Sequence, residues 1–249
     1  MRRLPFHFAG CFFLLLPFAS AAEGPPWKDL FDSPTLDSWK DPSPDWTHVG
    51  GVELDAKNPR RLAPLPGKGV FYNGTKGRTR DLITKESFQD VEAHVEFLIP
   101  KGSNSGVKMM GLYEIQILDT HGAKELSGDS CGGIYPRAED KPRYHHIDKG
   151  VAPKVNAAKP AGEWQTLDII FKAPRFDAAG KKIANAKFVK VTLNGQVVHE
   201  NVEVECPTGA AWRLKPEVAK GPLLLQSDHG PVAFRNVRIR PLTAERKKD

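Results

Sequence analysis

The stretch from Asn104 to Asp119, NSGVKMMGLYEIQILD, sets a glutamate, a glutamine and an aspartate inside an apolar run. A strand sends alternate side chains to opposite faces, so Tyr113, Ile115 and Ile117 line one face while Glu114 and Gln116 share the other. Apolar neighbours flank that second face as well. A carboxylate in such a sheltered place is usually paired or functional, and it can serve as a proton donor or acceptor. A solvated glutamate on the outer face of a sandwich fits the same residues. Asp119 lies five positions after Glu114, on the opposite face, unless one extra residue at Ile117 or Leu118 bulges the strand and brings the two carboxylates together.

Other groups with chemical potential are scattered. His229 sits between Asp228 and Gly230 in a polar turn, a better place for chemistry than a core histidine has. Glu92, His94 and Glu96 alternate along DVEAHVEFLIP and read as the wet side of a sheet. Tyr144, His145, His146 and Asp148 invite a metal reading, but adjacent histidines point in different directions and no third partner stands at ligand spacing. That segment reads as a solvated loop, and no metal site is expected. Cys131 and Cys206 show no CxxC spacing; an oxidising compartment allows a disulfide between them without requiring one. No cofactor-binding motif is present, so no cofactor is expected.

The elements that must position these groups are strands. Trp27 to Trp46 reads as a loop with one short strand, and Gly51 to Gly69 as brief apolar pieces between Pro and Gly. DVEAHVEFLIP turns Ala93, Val95, Phe97 and Ile99 to a core, and WQTLDIIF does the same with Leu167, Ile169 and Phe171. FVKVTLNGQVVHE is a hairpin, because Asn194 and Gly195 readily take the positive φ of a tight turn. GPLLLQ and VAFRNVRIRPL supply the last strands. Arg235 shares parity with Val237 and Ile239, which buries it unless that strand is irregular. Between them, His121 to Gly162 is a long region rich in Gly, Pro, Lys and Asp, of a length that is functional or disordered in compact domains. About ten short strands and almost no helix predict a β-sandwich, with the spacing of a jelly roll that has one concave and one convex sheet face.

The N-terminus has the three parts of a secretory leader: Arg2 and Arg3, an apolar run from Phe6 to Phe18, and small residues at Ala19 to Ala21. The expected organisation is a signal peptide over residues 1–22, one domain over 23–242 and a disordered basic tail over 243–249. The expected location is periplasmic or extracellular. The apolar run is too short to span a bilayer. The chain carries 36 basic and 30 acidic residues; without Arg2 and Arg3 the balance is 34 − 30 = +4. So weak and evenly spread an excess does not argue for nucleic-acid binding.

Together, NSGV, YEIQILD, CGGIY, NAAKPAGEW, LNGQVV, GPLLLQ followed by DHG, and FRNVRIRPL resemble the 3-keto-disaccharide hydrolase domain family from about Trp27 to Leu242. That resemblance implies a concanavalin-like jelly-roll β-sandwich of two antiparallel sheets with long loops. It also implies an exported bacterial glycoside hydrolase acting on small carbohydrates already oxidised at C3, with a sugar 3-dehydrogenase as functional partner. A C3 carbonyl acidifies the proton on C2, and its removal lets the group on C1 leave; water then adds. This chemistry needs a base, a donor or cation at the C3 oxygen, and an acid for the leaving group. Under the resemblance, Glu114 and His229 are the catalytic pair. Asn104, Gln116, Asp119, Lys159, Trp164 and Arg235 bind substrate, with Lys159 or Arg235 at the enolate and Trp164 stacked on a sugar face. Packing and turn roles compete for Asn104 and Trp164, and a structural ion pair competes for Arg235.

EIQILD also resembles the catalytic strand of laminarinase- and lichenase-type β-glucanases in its bulged spacing. Retaining hydrolysis there requires carboxyl groups about 5–5.5 Å apart, with Glu114 and Asp119 in those places. Gln116 stands where those enzymes have a central acid. Elimination therefore ranks above double displacement, and a non-catalytic carbohydrate-binding module is the reading from another class.

Overall fold

The computed structural model describes residues 24–74 and 76–242. The leader expected over residues 1–22 and the tail expected over 243–249 lie outside these described residues.

In chain order the first strands are β1 (Lys28–Asp29), β2 (Thr47–Asp55), β3 (Asn58–Tyr72), β4 (Leu82–Ile83), β5 (Val91–Leu98), β6 (Asn104–Met109), β7 (Tyr113–Leu118) and β8 (Ala138–Glu139). There follow β9 (His145–His146), β10 (Gln165–Lys172), β11 (Arg175–Phe176), β12 (Lys182–Ala184), β13 (Ala186–Leu193) and β14 (Gln196–Val204). The short helix α1 (Ala211–Leu214), β15 (Leu224–Leu225) and β16 (Ala233–Pro241) complete the described chain. One antiparallel sheet runs β14-β13-β10-β5-β16-β3-β2, with β1 also against β16; a second runs β4-β15-β6-β7.

The two sheets share a core. Val95, Phe97, Leu167, Ile169, Phe171 and Phe234 of the larger sheet pack in one cluster with Val107, Met109, Tyr113, Ile115, Ile117 and Leu225 of the smaller. These are the parities that alternation assigns to the inside, and their burial is the main force holding the sheets face to face. The expected β-sandwich is thus the fold. The opposite face of β5 carries ion pairs: Glu92 with Arg240, Glu96 with Arg235, and His94 Nδ1 2.6 Å from Asp168 Oδ1.

Two local expectations need correction, and two alternatives left open by the sequence are decided. The run from Asn104 to Asp119 is a hairpin rather than one strand. Met110 (φ 57°) and Gly111 (φ 66°) both take the left-handed region, and Leu112 N donates to Met109 O at 3.0 Å, which is the turn that joins tightly twisted antiparallel strands. Second, the pieces read between Gly51 and Gly69 belong to the long β2–β3 hairpin. Its prolines are tolerated because β3 has a second neighbour, β16, only at Phe71 and Tyr72, so along most of its length one side of the ladder is open.

Third, the register of β16 against β5 shifts between Arg235 and Arg238, with Asn236 at φ 49°. This bulge lets Phe234 and Val237 both enter the core while Arg235 reaches outward. Fourth, Cys131 and Cys206 are not bonded. Cys131 is buried in the shared core, where its thiol is pushed up to about 11 by burial, whereas Cys206 is only half-buried.

The long region from His121 to Gly162 is not free of order. Gln116 N donates to Gly133 O (2.9 Å), Gly132 N to Gln116 O (2.8 Å) and Tyr135 N to Glu114 O (3.0 Å), so the loop satisfies the open edge of β7. Beyond it, β8 pairs with β9 to form a small flap.

Candidate active site

On the face of the smaller sheet turned away from the core, alternation places Asn104, Gly106 and Lys108 of β6 beside Glu114 and Gln116 of β7. The register is regular throughout, with Lys108 opposite Glu114 and Gly106 opposite Gln116. The side chains of Asn104, Lys108, Glu114 and Gln116 form the floor of a cavity of about 300 Å³. Asp81, Gln226, Asp228 and His229 close one side; Tyr135, Tyr144 and the start of α1 are also in its wall.

Lys108 Nζ lies 3.1 Å from Glu114 Oε2, and Glu114 is 2% exposed. Burial pushes the Glu114 carboxyl above the usual carboxylate range, against the opposing pull of Lys108. For Lys108, burial alone acts downward, but the charges of Glu114, Asp81 and Asp228 outweigh it and hold the ammonium above its ordinary value. Burial likewise raises Asp81, whose Oδ1 accepts from Ser227 N at 2.8 Å.

Across the cavity, His229 Nδ1 is 2.5 Å from Asp228 Oδ1. That hydrogen bond holds Asp228 below the usual carboxylate range and raises His229 above the ordinary imidazole value. It also directs Nδ1–H to the carboxylate, which leaves Nε2 as the lone pair available to a ligand. Gln116 Nε2 donates to Asp129 Oδ1 (2.6 Å), while its buried Oε1 has no partner within the protein. A buried acceptor of this kind is open to a hydroxyl or a water entering the cavity. Among the described residues, no group of three or more His, Cys, Asp and Glu is arranged to hold a metal ion.

Of the residues named from sequence, Glu114, His229, Asn104 and Gln116 meet at this cavity. Four others lie elsewhere. Asp119 Oδ2 accepts from Gly102 N at 2.9 Å, and with no register shift between β6 and β7 the bulge that would bring it to Glu114 is absent. Lys159 Nζ donates to Trp164 O at 3.0 Å. Trp164 packs at the outer-face cluster of Leu98 and Tyr72, with the Arg235 guanidinium 4.0 Å from its ring centroid. Arg235 Nε in turn donates to Glu96 Oε2 at 2.6 Å, the structural ion pair that competed with a binding role.

Sequence reasoning missed Lys108, Asp81, Gln226, Asp228, Tyr135 and Tyr144 at the cavity. Lys108 depends on the Met110–Gly111 turn, which brings it opposite Glu114, and a methionine gives no signal for such a turn. Tyr144 was assigned to a solvated loop, yet the β8–β9 flap carries it to the cavity wall. Asp148, in the same flap, pairs with Arg137 at 2.7 Å.

Residues 26–240 match the profile of the 3-keto-alpha-glucoside-1,2-lyase-like domain. Among solved structures, a candidate glycosyl hydrolase from Parabacteroides distasonis ATCC 8503, determined at 2.13 Å, superposes with a TM-score of 0.63 and 25% identity, covering 96% of this chain and 100% of that one. A second candidate glycosyl hydrolase from the same organism, at 2.00 Å, shares the fold with a TM-score of 0.55 and 21% identity over 87% of this chain and 100% of its own. Comparison with curated proteins gives no match.

Proposed function

The chain belongs to the 3-keto-alpha-glucoside-1,2-lyase-like domain family, and from that premise we propose that it is a glycosidase acting on 3-keto-glycosides by elimination and hydration. The observation that carries this reading is the pairing, in one cavity, of the buried Lys108–Glu114 couple with the Asp228–His229 dyad.

The roles follow from the charges. His229 Nε2 takes the proton from C2, and Asp228 orients the imidazole and stabilises the imidazolium that forms. The electrons left on C2 delocalise onto the C3 oxygen, which Lys108 stabilises from a site where burial strengthens the interaction. Glu114 holds that ammonium in place. The C1–O bond then breaks, its electron pair leaves with the aglycone oxygen, which is protonated, and a C1=C2 double bond remains. Water adds hydroxide to C1 and a proton to C2, giving the free 3-keto sugar. Gln116 and Asn104 meet sugar hydroxyls. Such a substrate arises by oxidation of a secondary alcohol, so a sugar 3-dehydrogenase is the proposed partner activity.

The test is incubation with a 3-keto-disaccharide and its unoxidised parent in deuterated water. Cleavage of the ketone alone, with one deuterium at C2 of the product, is the expected result. Equal cleavage of both without deuterium overturns elimination, and saturable binding without turnover of either identifies a carbohydrate-binding module instead. Export is proposed alongside, on the charge, apolar and small-residue pattern of residues 1–22; N-terminal sequencing of the protein from periplasm or medium checks it.

A further inference from the structure

The elimination step leaves one proton unassigned. An aglycone oxygen expelled with its electron pair is a strong base, and departure of an alkoxide needs an acid at hand. His229 receives the C2 proton at the opposite end of the bond being formed, and Lys108 and Glu114 are each engaged by the other. None of the three is free for the leaving oxygen.

Tyr135, Tyr144 and His146 form a hydrogen-bonded chain that starts in the cavity and ends in solvent. Tyr144 OH donates to Tyr135 OH at 3.1 Å, and Tyr135 OH lies 2.9 Å from His146 Nε2. The His146 ring meets Tyr135 edge-on with centroids 5.1 Å apart, and Tyr144 at 5.9 Å. Both tyrosines line the cavity, whereas His146 is exposed. The arrangement is held at both ends. Tyr135 N donates to Glu114 O at 3.0 Å, so the strand bearing Glu114 sets the position of Tyr135. Asp148 closes the flap by accepting from Arg137 Nε (2.7 Å), Arg137 N (3.1 Å) and Gly150 N (2.9 Å).

We propose that Tyr135 is the acid that protonates the leaving oxygen, reloaded from solvent through His146, with Tyr144 positioning its hydroxyl. This rests on the elimination reading. As the C1–O bond breaks, its electron pair takes the Tyr135 proton; the tyrosinate takes the Nε2 proton of His146 as Nδ1 of the same exposed ring takes one from solvent, so the imidazole stays neutral and changes tautomer. Tyr144 OH donates to the phenolic oxygen, and His146 in its Nε2–H tautomer does the same, so the transient tyrosinate has two donors. Burial keeps the Tyr135 hydroxyl above the ordinary phenol range, and the residue therefore waits in its protonated form.

Leaving-group dependence tests this. A 3-keto methyl glycoside needs the acid, whereas a 3-keto nitrophenyl glycoside leaves as a stable aryl oxide. Tyr135→Phe is expected to lower kcat about 10²–10⁴-fold on the methyl glycoside and less than about 10-fold on the nitrophenyl one. His146→Gln, at an exposed position, is expected to show the same asymmetry at smaller size. Equal losses on both substrates, or no loss on either, overturn the relay while leaving elimination standing. A wild-type protein inert on both glycosides overturns elimination and the relay with it.

Discussion

A Cβ placed on Gly106 would lie 2.2 Å from Glu114 Oε1. Gly106 shares the cavity face of β6 with Lys108, and the empty space above it is where the Glu114 carboxylate turns toward the ammonium. The glycine of NSGV therefore shapes the site as well as the strand.

Gly106→Ala is expected to push the carboxylate aside without unfolding the sheet, since the clash is with the end of a flexible side chain. Displacement of a catalytic group by about 1 Å costs on the order of 10²-fold in kcat/KM. Kinetics beside a thermal melt check this: a drop in activity with a melting temperature within a few degrees of wild type is the expected pattern.

The Lys108–Glu114 pair is buried enough that removing one partner strands the other. Lys108→Met is expected to destabilise the fold by about 3–5 kcal/mol. The double variant Lys108→Met, Glu114→Gln is expected to recover most of that loss while remaining inactive. Urea denaturation of the two single variants and the double measures the coupling; strictly additive losses would rule it out.

If His229 is the base, it must be unprotonated to act, so kcat/KM falls as pH drops through its pKa. The Asp228 hydrogen bond raises that pKa above the ordinary value of 6.5. The acid limb is thus expected above 6.5 in wild type and at lower pH in Asp228→Asn, whose plateau also drops because the imidazole loses its orienting partner. A limb that does not move in the variant removes His229 from the base role.

Arg235 and Lys159 are engaged away from the cavity. Arg235→Ala and Lys159→Ala are expected to leave kcat/KM within about twofold, in line with surface changes remote from a site. Arg235→Ala is expected to lower the melting temperature, since Glu96 and Trp164 both lose a partner. A large change in KM from either variant would return that residue to substrate binding.

The two thiols give a separate check. Native protein is expected to react slowly with a disulfide reagent at Cys131, whose buried thiol is held up to about 11, and to yield both thiols on denaturation. Melting with and without reductant is expected to coincide.

Much of the architecture was legible because alternation is a property of the backbone alone. Ala93, Val95 and Phe97, Leu167, Ile169 and Phe171, and the Asn194–Gly195 turn all lie where their pattern puts them. The turn at Met110–Gly111 was not legible, because a methionine at positive φ carries no turn signal of its own. Arg235 shows the same limit from the other side: parity buries it, and only the bulge at Asn236, demanded by Phe234 and Val237 packing into one core, turns it out to Glu96.

For the site, the sequence by itself determined that Glu114 and Gln116 share one face and that the motifs around them resemble one family; that the face is sheltered came from the structure. Which groups meet that face was decided by tertiary structure. Lys108 arrives through a hairpin, Asp228 and His229 from a distant turn after β15, and Tyr135 and Tyr144 from a loop that caps the edge of β7. Local spacing governs which way a side chain points. Which strands become neighbours depends on burying all the apolar faces at once, and that sum is taken over the whole chain.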